Sequence, residues 1–105
     1  MVEHLADRTS AEGPFEVERG DTVRLVLDEN PTTGFRWSVA AIDGVPVEVV
    51  GSDFAPGPTT RPGAGGRREF LLHTPQPGTA EVRLELRRTW SGERADALCF
   101  TLRIT

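Results

Sequence analysis

Alternation of apolar and polar residues with a period of two dominates this chain and predicts β-strands along most of it. From Thr22 to Asp28, Val23, Leu25 and Leu27 share one face, and Thr22, Arg24 and Asp28 share the other. Thr79–Arg87 sets Ala80, Val82, Leu84 and Leu86 against Glu81, Arg83, Glu85 and Arg87. Ala97–Ile104 groups Leu98, Phe100, Leu102 and Ile104, and Phe35–Ala41 groups Phe35, Trp37, Val39 and Ala41. Shorter runs at Phe15–Glu18, Val45–Val50 and Arg67–Thr74 bring the expected strands to seven. A helix would scatter such residues around its circumference. One polar face per strand predicts antiparallel sheets packed on one side, and the number of runs predicts two sheets face to face.

The connections differ in character. Gly20-Asp21 and Pro77-Gly78 read as tight turns. Asp28–Gly34, Phe54–Gly66 and Arg88–Ala95 are richer, and in an up-and-down sandwich these three emerge at one end. In the first, Pro31 fixes its own φ, Asn30 invites an Asx turn and Gly34 accepts a φ that other residues resist, giving a stiff tip with the hydroxyls of Thr32 and Thr33. The second is long for a compact domain, and its glycines permit close backbone approach. It lacks the Gly-Lys-Ser/Thr ending of a phosphate loop. In the third, Trp90 falls at a strand end, as a rim residue or an exposed anchor, whereas Trp37 reads as core.

Composition narrows the function classes. The chain of 105 residues is long enough for one core, and its net charge of −4 disfavours nucleic acid and membranes as partners. All 12 basic residues are arginine, so lysine-based Schiff-base chemistry is excluded. The single cysteine, Cys99, excludes an intrachain disulfide, and with only His4 and His73 no metal-ligand or cofactor pattern appears. Cys99 lies within a strand without a histidine nearby in sequence, and His73 lies at a strand end, so a hydrolase built on either is disfavoured. Residues 1–12, His4 included, read as a flexible N-terminal segment. That segment has no apolar signal core, which leaves either a cytoplasmic protein or an exported one trimmed of its signal.

Taken together, the three loops resemble those of the chagasin-like inhibitors of papain-family cysteine peptidases. Asn30-Pro31-Thr32-Thr33-Gly34, followed by the aromatic Phe35, matches the family's first-loop motif. Gly63-Ala64-Gly65-Gly66 matches its Gly-x-Gly-Gly, and Arg88-Thr89-Trp90 resembles its Arg-Pro-Trp. The resemblance implies an immunoglobulin-like antiparallel β-sandwich without a disulfide, in a single inhibitor domain over residues 1–105. It also implies a monomer that reversibly and non-covalently occludes the cleft of a papain-like cysteine peptidase, with these thirteen residues as the contact surface. Thr32 would lie nearest the catalytic thiolate, with Thr33 beside it. Arg88 would orient the third loop or pair with an acidic rim of the peptidase. Thr89 stands where the family usually has proline, which predicts a freer third loop, tightened by a proline at that position. The alternative is a non-inhibitory immunoglobulin-like interaction module using the same loops.

Overall fold

Two four-stranded sheets pack face to face in a computed structural model that describes residues 2–56 and 65–105. The strands are β1 (Glu3–Ala6), β2 (Phe15–Val17), β3 (Thr22–Glu29), β4 (Phe35–Gly44), β5 (Glu48–Pro56), β6 (Gly66–His73), β7 (Gly78–Arg88) and β8 (Arg94–Ile104). One sheet has the order β1-β3-β6-β5 and the other β2-β8-β7-β4. The inward residues expected from alternation form the core: Val23, Leu25 and Leu27 of β3 meet Val82 and Leu84 of β7 and Phe100 and Leu102 of β8 in one buried cluster with Trp37. Cys99 is exposed on the outer face of β8.

The arrangement departs from a purely antiparallel, seven-stranded sandwich in two places. β1 runs parallel to β3, and β2 runs parallel to β8. Where the sequence reading expects a flexible lead-in, Glu3–Ala6 forms β1 and Arg8–Glu12 forms a 3-10 helix capped by Asp7. The cause is Asp21, which reads as a turn residue but is buried. Its carboxylate accepts from the Val2 amide (2.9 Å), from Nε2 of His4 (2.7 Å) and from the Glu18 amide (3.0 Å). His4 is therefore fastened rather than frayed, and its ring meets Phe15 edge-on.

Three register shifts also escape simple alternation. Ala40 bulges out of β4, so Ile42 pairs with inward Val82 and Ala41 pairs with outward Arg83, against the expected phase. Val50 bulges out of β5, which begins at Glu48 and runs on to Pro56. The second loop thus surrenders its first three residues to a strand. Ala95 bulges out of β8, which sets Arg94 opposite Arg87.

Candidate functional site

The first turn links β3 to β4 and so bridges the two sheets. Pro31–Thr33 forms a short 3-10 turn. The Asn30 side chain sets it as an Asx turn: Oδ1 accepts from the Thr32 amide (3.1 Å) and from the Thr32 hydroxyl (2.7 Å). The Asn30 carbonyl accepts from the Thr33 amide (3.2 Å) and the Thr33 hydroxyl (2.8 Å). Both threonines are exposed, as expected. Their hydroxyl protons, however, are committed inward, so toward solvent they offer lone pairs. Gly34 leaves the turn at φ +78°, the left-handed region expected of it.

Beneath this turn lies an ion pair that the loop motif does not announce. Glu29 continues the inward parity of β3 and is buried. Its Oε1 accepts from the Trp37 amide (2.6 Å), and its Oε2 accepts from Arg68 Nη2 (2.8 Å). Trp37 returns the tie by donating Nε1–H to the Asp28 carbonyl (2.9 Å). One carboxylate thus binds β3 to β4 and β6 directly under the tip. Extending the parity of β3 and β6 by one step would have found it: an inward acid at 29 requires a partner, and Arg68 is the inward base of β6.

The third turn closes tightly. The Arg88 amide donates to the Glu93 carbonyl and the Gly92 amide to the Arg88 carbonyl, both at 2.8 Å. Arg87 Nη1 donates to the Gly92 carbonyl (2.7 Å). The Arg88 guanidinium stacks between the rings of Phe35 (4.4 Å) and Trp90 (5.4 Å) and pairs with Glu93 at 3.2 Å. Within the chain it thus ties Phe35, Trp90 and Glu93 together. Trp90 is 70% exposed, so of the two sequence readings the exposed one holds.

The first and third turns are one assembly. The Thr89 amide donates to the Gly34 carbonyl at 3.1 Å. The Trp90 ring covers Gly34 so closely that a Cβ there would fall on it. This corrects the expectation that Thr89 leaves the third loop freer: its N–H, which a proline would lack, fastens that loop to the first. The second loop arrives on the other flank. Gly66 pairs with both Glu29 and Pro56, and a Cβ on it would strike the Ala55 carbonyl and the Phe54 ring. Gly65 lies beside the Glu29 carbonyl and Asn30. Gly63 and Ala64 fall outside the described residues. A groove of about 460 Å³ lies between the first turn and the start of β6, lined by Asn30, Thr33, Gly65, Gly66 and Leu86 among others. Glu29, Phe54 and Glu93 are the supporting residues that motif reading passes over.

Among the described residues, the first and third turns and the start of β6 meet at one end of the sandwich, and most of the chain matches a known class of peptidase inhibitor. The match is direct: the family model for the chagasin family peptidase inhibitor I42 covers residues 16–104, and the chain belongs to that family. Amoebiasin-1 of Entamoeba histolytica is 32% identical over 90 residues, 84% of each chain. Chagasin of Trypanosoma cruzi is 28% identical over 105 residues, 96% of each chain. The crystal structure of the cysteine protease inhibitor EhICP2 from Entamoeba histolytica superposes with a TM-score of 0.85 at 20% identity, over 100% of this chain and 97% of that one.

Proposed function

We propose that Asn30–Phe35, Gly63–Gly66 and Arg88–Trp90 together occlude the active-site cleft of a papain-like cysteine peptidase, reversibly and without a covalent bond. The observation that carries this reading is the placement of Trp90: a large, exposed indole held against Gly34, where the first and third turns meet. Exposed tryptophan is a typical interface anchor. The similarity to a cysteine protease inhibitor supports the class of target.

The chemistry of the first turn fits such a cleft. A catalytic Cys–His pair presents a thiolate and an imidazolium N–H. With its proton committed to Asn30, the Thr32 hydroxyl accepts from the imidazolium. The 3-10 backbone of Pro31–Thr33 keeps the peptide carbonyls of that turn out of the extended geometry that nucleophilic attack requires, so the turn blocks without being cut. The glycines of the second loop lie along one wall of the cleft, bonding through the backbone. Trp90 lies along the other wall.

Titration of papain with the purified protein tests this reading. The expected result is a linear loss of activity ending near one equivalent, with full recovery on dilution. Undiminished activity at several equivalents would instead favour the non-inhibitory interaction module.

A further inference from the structure

The outer face of the β2-β8-β7-β4 sheet carries a feature that the three tips do not use. Arg36 of β4 stands directly opposite Arg87 of β7, and Arg87 directly opposite Arg94 of β8. Simple alternation would turn Arg94 toward the core with Leu98. The Ala95 bulge reverses it and completes a row of three arginines across three strands. Like charges in directly opposed positions destabilise a sheet, so the row is maintained at a cost. Glu85 offsets it in part, accepting from Arg87 (3.0 Å) and Arg94 (3.3 Å). Arg36 is exposed and makes no ion pair among the described residues. Three guanidinium groups face one carboxylate, in a chain whose net charge is −4.

The row lies one residue below the pair Phe35–Arg88, at the same end as the tips, and Arg87 reaches into the third turn. At the far end of this face, Asp43 of β4 opposes Glu81 of β7. Arg103 at that end is paired with Glu16 (3.7 Å), so the face is more positive beside the tips and more negative away from them. We propose that the row Arg36–Arg87–Arg94 is a docking rim for an acidic margin beside the cleft of the target peptidase, steering association and favouring acidic targets. This rests on the inhibitory reading above and adds the charge of the partner. Long guanidinium side chains suit such a margin because they pair with carboxylates in a fixed fork geometry.

The test uses two purified papain-like peptidases, one acidic and one basic, and compares the wild type with Arg36→Glu and with the double variant Arg36→Gln/Arg94→Gln. Arg87 is left intact because it holds the Gly92 carbonyl. At low salt the acidic peptidase is expected to associate roughly 10-fold more slowly with Arg36→Glu, and the deficit should fade as salt is raised. The neutral double variant should show a smaller slowing, and the basic peptidase should bind Arg36→Glu no more slowly than wild type. Association rates indifferent to these changes, or slowed equally for both peptidases, would overturn the docking rim while leaving inhibition standing. Failure of the wild type to inhibit either peptidase would overturn the inhibitory reading itself.

Discussion

The amide of Thr89 donates to the carbonyl of Gly34 at 3.1 Å, joining two loops that lie 55 positions apart in sequence. The ring of the next residue, Trp90, then covers Gly34. The indole and the turn it covers are therefore fixed to each other within the chain itself, so a partner that engaged both would meet a lower ordering cost.

Gly34→Ala tests that contact from below. The new Cβ would meet the Trp90 ring, and the backbone there holds a φ of +78°. The indole must move, so inhibition of papain should weaken by roughly 2 kcal/mol, the scale of a lost aromatic anchor. Trp90→Ala should weaken it by about as much, and the double variant little further, because both changes disable one contact. Strict additivity in the measured inhibition constants would mean that the two residues act separately.

Thr89→Pro removes a donor that the fold uses. A hydrogen bond of this kind contributes about 1 kcal/mol, and a fitting proline returns about 0.4–1 kcal/mol by restricting the unfolded chain. Because the Gly34 carbonyl is also left without its partner at the turn, dissociation from papain should be about twofold faster. A clearly slower off-rate in surface-binding kinetics would show that chain stiffness outweighs the bond between loops.

The ion pair beneath the tip governs stability. Glu29 is buried with Arg68, and removing one member strands the other's charge. Glu29→Ala should cost roughly 3–5 kcal/mol in urea unfolding. Glu29→Leu/Arg68→Met, which removes both charges, should recover much of that loss. Equal midpoints for Glu29→Ala and wild type would remove the pair from the list of stabilising contacts.

Acid should loosen the N-terminal strand. The hydrogen bond from His4, followed by that from the Glu18 amide, holds the Asp21 carboxyl down to about 2, from an ordinary value of 3.8. The folded value lies below the unfolded one, so this contribution is complete above the ordinary value and disappears as pH falls toward 2. Stability measured in urea should therefore decline through that window, and Asp21→Asn should flatten the decline while lowering stability at neutral pH. An unchanged slope in the variant would assign the acid sensitivity to other groups.

Most of the sandwich was readable because β3, β6, β7 and β8 alternate cleanly and bury one face, and period two has one interpretation when half of each strand is apolar. The first turn was readable because turn chemistry is local: Asn30 and Gly34 each act on the backbone beside them. What escaped was non-local. β1 is a four-residue, half-polar strand that exists because a buried aspartate eighteen positions after its first residue holds it. The bulges at Ala40, Val50 and Ala95 leave no compositional mark, since they satisfy the packing of the opposing strand rather than a preference of their own. Thr89 misled for the same reason. Its effect lies in an amide that every residue but proline possesses, so its side chain says nothing about where that amide points.

The carboxylate of Glu29 also separates two design problems. Because it secures the departure of the turn from within the sandwich, residues 31–33, with Thr32 and Thr33 exposed, hang from a mount buried beneath them. Sequence at that apex can drift, or be swapped for another short segment, while the frame that displays it persists. A change at those three positions leaves the buried bonds that carry them in place.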